Sequence, residues 1–283
     1  MTLDPGTLTL PSMPPPHGFD LCRRKPPPGL AGMVDDIVGY RETVPGAFRQ
    51  IETASLAVPL IVSFGEPWEI ALGRTPGRDD RIASFAAGLC SGPVVIHSFG
   101  GAHCLQINFT PLGAFRFFGL PMHELAARMV PLDDLPRRPF SDFAARLADA
   151  SDWERRFDIA EAFLARRINA GQSASDAVAW AYGRILRSGG RARIDAIART
   201  LEWSRKHLAY RFRFEIGLGP KAVARIVRFN RATGLAQDGQ KTDWADVAAA
   251  CGYADQAHLV REFRELAGTT PAKWRRWPDR SGG

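Results

Sequence analysis

Residues 207–223, HLAYRFRFEIGLGPKAV, and residues 258–274, HLVREFRELAGTTPAKW, carry one frame of side chains twice. In each, a His-Leu pair is followed by a Phe four residues after the Leu, a Gly five further on and a Pro three beyond that. At about 3.6 residues per turn, Leu208 and Phe212 share one helix face, as do Leu259 and Phe263. The opposite faces hold Lys206, Tyr210 and Arg213, flanked by Arg205 and Ala209, and Ala257, Arg261 and Arg264, flanked by Gln256. These side chains suit the reading of a nucleic-acid duplex. Arg and Lys donate to guanine O6 and N7, Gln pairs with adenine, and a small Ala surface meets a thymine methyl. Lys206, Tyr210, Gln256 and Arg261 are therefore expected at base edges, and Arg205, Arg213 and Arg264 at bases and phosphates together. Ser204 and His258 complete the candidate set. His207 and His258 equally suit a capping or packing role just before each inward-facing Leu.

The frame extends upstream. Ala198 matches Ala248 and Leu201 matches Cys251, at an offset of 50, whereas His207 and His258 are offset by 51, so the second turn holds one extra residue. Each copy reads as a short helix, IDAIARTL or WADVAAAC, a tight turn and a longer helix, 204–216 or 255–267. Gly217 and Gly268 suit a left-handed helix stop, and Pro220 and Pro271 suit the start of the next helix. PKAVARIVRFNRATGLA, between the copies, predicts a stiff helical connector.

At these residues the chain resembles the AraC/XylS family of bacterial transcriptional regulators. The resemblance runs through IDAIARTLEWSRKHLAYRFRFEIGLGP, the connector with RFNRA, and DVAAACGYADQAHLVREFRELAGTTPAKW, about 100 of the 283 residues. It implies two helix-turn-helix subdomains bridged by a long helix and binding double-stranded DNA, as activator or repressor, with RNA polymerase as a further partner. It also implies an N-terminal β-rich domain that binds a small effector or forms a homodimer. Tyr210 stands where the family often has Arg in the first recognition helix, which leaves the base preference there open.

The elements that must position these helices follow from punctuation and period. Residues 1–29 are proline-rich and read as an extended arm. Residues 30–135 hold short apolar runs between Gly and Pro, SLAVPLIVSF, WEIAL, PVVIHSF and CLQINF, and predict an antiparallel sheet or a small, cupin-like barrel. In CLQINF, Leu105, Ile107 and Phe109 alternate with Gln106 and Asn108, the pattern of a strand with one wet face. Trp68, Phe85, Phe99 and Phe109 are candidates for an effector pocket, although strand aromatics more commonly fill cores. His97 and His103 lack the HxH spacing of a cupin metal site, so no metal or other cofactor is expected.

Beyond TPLGAFRFFGLP the period becomes helical: MHELAARMV predicts a short helix. Residues 136–173 predict a helical linker with Asp152 as a cap and Phe157, Ala160, Phe163 or Leu164, and Ile168 as an apolar stripe. That stripe suits either a sheet cover or a dimer contact. From 174 to 277 seven helices are expected. The fold class is thus α+β, with a β-rich N-terminal domain followed by an all-α C-terminal domain.

The formal net charge of +7 is uneven, at +10 from Arg184 onward and −3 before it. Concentrated positive charge suits a polyanion. No run reaches the ~18 apolar residues of a membrane span. The first residues lack the features of a secretory leader, so the cytoplasm is expected. Cys22, Cys90, Cys104 and Cys251 are scattered, without a CxxC pair, and read as reduced thiols. No nucleophile elbow, P-loop or strand-borne GxGxxG is visible, so an enzyme is not expected. Two alternatives stay open: a DNA-repair or alkyl-acceptor enzyme using Cys22 beside Arg23, Arg24 and Lys25, and a sequence-blind architectural protein.

Overall fold

The computed structural model describes residues 18–135, 140–238 and 243–276. Two antiparallel sheets form its N-terminal part. The larger has strands β1 (Phe19–Arg24), β2 (Val34–Glu42), β4 (Val58–Ser63), β7 (Phe85–Ala87), β9 (His103–Phe109) and β10 (Met129–Pro131), in the order β1-β2-β9-β4-β7-β10. The smaller has β3 (Phe48–Glu52), β5 (Trp68–Leu72), β6 (Arg81–Ile82) and β8 (Val94–Ser98), in the order β3-β8-β5-β6. The two remain separate sheets, so the barrel alternative gives way to a sandwich-like pair.

The alternation in β9 explains the layering. Leu105, Ile107 and Phe109 are fully buried on one face of the larger sheet. Helices α1 (Pro111–Phe118) and α3 (Trp153–Ala170) cover that face, with the Phe109 ring 4.6 Å from Phe117. Gln106 and Asn108 point the other way, into the space between the sheets. The expected wet face therefore meets an internal cavity.

The stripe of α3 covers the sheet. Phe157, Ala160, Phe163, Leu164 and Ile168 are buried, and Asp152 caps the helix by accepting from the Arg155 amide at 2.8 Å. Gly39 of β2 makes room for Trp153: a Cβ there would lie 2.4 Å from the indole. Arg24 of β1 pairs with Glu154, Asp158 and Glu161 of the same helix.

Three expectations change. Within the supposed arm, Phe19–Arg24 is a strand paired with β2 over its whole length and Pro28 opens a 3-10 turn, Pro28–Leu30; residues 1–17 of the arm lie outside the described residues. TPLGAFRFFGLP itself contains a helix, α1, with Thr110 capping, Pro111 at its start and left-handed Gly119 at its end. MHELAARMV yields only a 3-10 turn at Met122–Glu124, since Ala127 adopts φ 53° and Met129–Pro131 pairs with β7.

The C-terminal part is helical: α4 (Asp176–Arg187), α5 (Ile194–Thr200), α6 (Arg205–Glu215), α7 (Pro220–Asp238), α8 (Trp244–Cys251), α9 (Gln256–Ala267) and α10 (Pro271–Arg275). The remaining helix, α2 (Phe140–Ala148), stacks Phe143 on Phe163 of α3. Among the described residues no helix is long and apolar enough to cross a membrane. One buried cluster runs from Leu30 to Trp274 and joins the larger sheet to the helical part, and a second, of Trp68, Ile70, Phe85, Ala102 and Cys104, lies between the sheets.

Asp35 lies in that junction. The register of β2 against β9 slips between Val34 and Asp36, and the bulge sets Asp35 near the Tyr182 phenol of α4, which burial, and then the charge of Asp35, raise. Burial, and then the charge of Asp36, push the Asp35 carboxyl from 3.8 up to about 6. The folded state thus favours the protonated form. The resulting stability is fully present below the ordinary carboxylate value and is lost as pH rises through about 6. Asp35→Asn should therefore raise stability at pH ~8 by about 1–2 kcal/mol, with the gain shrinking as pH falls towards ~4. Thermal unfolding at several pH values tests this; a pH-independent difference would refute it.

Candidate nucleic-acid interface

Each copy of the duplicated frame builds the same local structure. In the first, the Trp203 amide donates to Ala198 O at 2.9 Å, and Ser204 caps α6 by accepting from the His207 amide at 3.1 Å. In the second, the Tyr253 amide donates to Ala248 O at 2.9 Å, and Asp255 caps α9 by accepting from the His258 amide at 2.6 Å. The inserted residue is Ala254, between the conserved-in-geometry aromatic and the cap. His207 meets Trp203 edge-on at 4.6 Å, and His258 meets Tyr253 edge-on at 5.3 Å. Both histidines thus pack on the turn, His207 while exposed and His258 while half-buried.

Leu208, Phe212 and Leu259 are fully buried, and Phe263 is 1% exposed. Their burial turns the other faces outward. Ser204, Arg205, Lys206, Tyr210 and Arg213 are exposed on the first unit, with Ala209 half-buried. Gln256, Ala257, Arg261 and Arg264 are exposed on the second. The ion pairs of this region are made by other basic residues: Arg193 and Arg199 with Asp195, Arg211 with Glu215, and Arg225 and Arg228 with Glu262. Among the described residues, Arg205, Lys206, Arg213, Arg261 and Arg264 have no acidic group within salt-bridge distance, leaving five cations available to an external polyanion.

Two buried carboxylates hold α6 and α9, and sequence reasoning missed both. Glu215, 1% exposed, accepts from the Ser175 amide at 2.6 Å and from Arg211 Nε at 2.9 Å, tying the end of α6 to the start of α4. Only the i,i+4 spacing of Arg211 and Glu215 hinted at it. Glu262, 5% exposed, accepts from Arg225 Nε at 2.9 Å and Arg228 Nη2 at 3.1 Å, which fastens α9 to α7. Arg225 also bonds Glu265. The connector α7 has 19 residues, about 28 Å at ~1.5 Å per residue.

A second feature lies between the sheets: a cavity of about 360 Å³. Trp68 and Phe85 line it. Phe109 does not, because its position in the alternation directs it to the opposite face of the sheet, and Phe99 lies beyond β8, 39% exposed, beneath the Arg81 guanidinium. Two residues of the helical part, Asn230 of α7 and Trp274 of α10, complete the lining. His97 and His103 stand on strands of different sheets. Among the described residues no group of three or more His, Cys, Asp or Glu is placed to hold a metal ion. Burial pushes the Cys104 and Cys251 thiols up, which keeps them protonated.

Residues 197–276 match a family described as a helix-turn-helix domain, of the AraC type. Among solved structures, the fold is similar to ToxT from Vibrio cholerae, at 10% identity and a TM-score of 0.46, covering 91% of this chain and 98% of that one. ToxT from Vibrio cholerae strain SCE256 bound to an unsaturated fatty acid aligns at 9% identity and a TM-score of 0.47, covering 92% and 95%. The AraC-like transcriptional activator CuxR aligns at 12% identity and a TM-score of 0.31, covering 68% and 79%. No curated protein sequence matches the chain.

Glu262→Ala would leave Arg225 and Arg228 partly buried without their shared anion. A stability loss of about 2–4 kcal/mol is expected in denaturant unfolding, whereas Glu265→Ala, at the exposed end of the same network, should cost under ~1 kcal/mol. Equal losses would contradict the bracing role of Glu262.

Proposed function

Starting from the AraC-type helix-turn-helix domain at residues 197–276, we propose that the chain is a sequence-specific transcriptional regulator reading two adjacent major-groove segments with α6 and α9. The observation that carries this reading is the pair of outward faces whose cations lack acidic partners, one on each unit. Arg261 and Lys206 donate to base edges with Gln256 and Tyr210 beside them, while Arg205, Arg213 and Arg264 also take phosphates. Ser204, Ala209, Ala257 and His258 complete the contact surface.

In this reading residues 174–277 are the DNA-binding domain, 136–173 the helical linker, and 30–135 together with β1 an effector-binding or dimerisation domain. The cavity between the sheets supports the effector role, with Trp68 and Phe85 as wall residues. The protein acts in the cytoplasm on double-stranded DNA, recruiting or blocking RNA polymerase, and performs no catalysis.

Selection of fragments from a random DNA pool at fixed salt should return a bipartite motif whose parts lie about one helical turn apart. A flat result with a steep salt dependence would favour the architectural alternative, and an alkyl-transfer activity abolished by Cys22→Ala would favour the acceptor alternative. Arg261→Ala should lose about 1–3 kcal/mol of discrimination at a few base pairs; an unchanged preference matrix would remove Arg261 from base reading.

A further inference from the structure

The cavity between the sheets is built unevenly. In β3, Phe48, Gln50 and Glu52 share a face, and the Phe48 ring lies 5.0 Å from Phe19 on β1 of the opposite sheet, so this face looks inward while Arg49 alternates away. One end of the cavity is walled by Phe19, Tyr40, Phe48 and Trp68. The register of the strands places Arg23, Asp36 and Asn108 at the other end, across from Glu52.

The polar groups of the larger sheet satisfy one another. Asp36 Oδ1 accepts from Asn108 Nδ2 at 2.7 Å, and its Oδ2 lies 3.2 Å from Arg23 Nη1. Gln106 Nε2 donates to Asn108 Oδ1 at 2.8 Å. Glu52 has no such arrangement. It receives one long hydrogen bond, from Gln50 Nε2 at 3.3 Å, and among the described residues no basic side chain lies within salt-bridge distance of it. Glu52 lines the cavity with its side chain still exposed, and desolvation by the surrounding protein raises its carboxyl pKa. A carboxyl in this position is costly to ionise unless a cation enters beside it. An anionic head group here would meet a second carboxyl; of the two arginines among the described lining residues, Arg23 is engaged by Asp36 and Arg49 alternates to the other face of β3.

We propose that the cavity takes an organic cation, with an apolar body of aromatic size against Trp68 and Phe85 and a protonated amine or amidine paired with Glu52. This inference rests on the reading of the cavity as an effector site and names the chemistry of the effector. The same end of β3 reaches the DNA-binding domain: the Ala54 amide, two residues past Glu52, donates to Leu266 O of α9 at 2.8 Å, and Trp274 lines the cavity. An occupant at Glu52 is therefore in register with the second reading unit.

Calorimetric titration of the full chain with a matched pair of probes, 2-(1-naphthyl)ethylamine and 1-naphthylacetate, tests the assignment. The amine should bind at least about tenfold more tightly than the acid, a difference of about 1.4 kcal/mol. Glu52→Gln should weaken the amine about tenfold or more and leave the acid unchanged or tighter. Equal or tighter binding of the acid by the unaltered chain, no binding of the amine at about 1 mM, or an amine affinity indifferent to Glu52→Gln would each overturn it. Should that variant fail to fold, the comparison of the two probes on the unaltered chain decides alone. Pool selection with the same protein separates the two readings. A bipartite motif without amine binding defeats only the cation assignment, and Glu52-dependent amine binding without sequence selection defeats the regulator reading while the cation site stands.

Discussion

The burial of apolar side chains along α7 is the constraint on which the helix-turn-helix half depends. Val223, Ile226, Phe229 and Ala232 are fully buried on this one helix, and Phe229 meets Phe263 of the second unit at 5.0 Å. Leu208, Phe212, Leu259 and Phe263 turn inward at about 1.5–3 kcal/mol each. The mutual repulsion of solvated cations on the outer faces opposes this by only tenths of a kcal/mol per pair. Burial wins, and the basic side chains are presented outward as a by-product of a core that has no use for them. Glu215 and Glu262 then tie α6 to α4 and α9 to α7, restraining a rotation about each helix axis that apolar packing alone controls loosely.

The helical half was legible because its signals are local. A cap, a buried Leu-Phe pair, a left-handed glycine and a proline recur within seventeen residues, and all seven expected helices, α4 to α10, are present. The one-residue difference between the copies was equally legible, and Ala254 accounts for it. The same kinds of signal marked α1 through Thr110, Pro111 and Gly119, but a phenylalanine-rich run beside a strand reads equally well as more sheet until Gly113 is seen pressed against the Met33 backbone.

The cavity was not legible for a different reason. Period-two alternation in β9 says that two faces differ; it does not say what the second face meets. Gln106 and Asn108 looked like surface residues, and only the arrival of β3, β8 and β5 from distant parts of the chain encloses them. The same limitation misdirected the aromatic set. Trp68 and Phe85 face the cavity, and Phe109 faces α1, yet nothing local distinguishes the inner wall of a sheet from its helix-covered side. Glu52 read as an ordinary strand-end charge for the same reason.

How the two halves meet constrains any influence of one on the other. The β-rich part touches the first reading helix at its C-terminal end, where Phe214 lies 6.0 Å from Phe115 and 6.3 Å from His123. It touches the second at its C-terminal end too, through the bond from Ala54 to Leu266 and through Pro93 against Gly268. The N-terminal residues of both helices, where Arg205, Lys206, Gln256 and Ala257 stand, are exposed. A module that grips two readers by their rear ends leaves both groove-facing surfaces free. In the regulatory reading it acts on their relative setting rather than by covering them. Both grips belong to one continuous core, and closely packed side chains transmit small displacements instead of absorbing them. In the regulatory reading, a change at the end of β3 reaches α9 directly and α6 only through the sheets and α1. Its main consequence is then the spacing between the two half-sites, the quantity to which a bipartite reader is most sensitive.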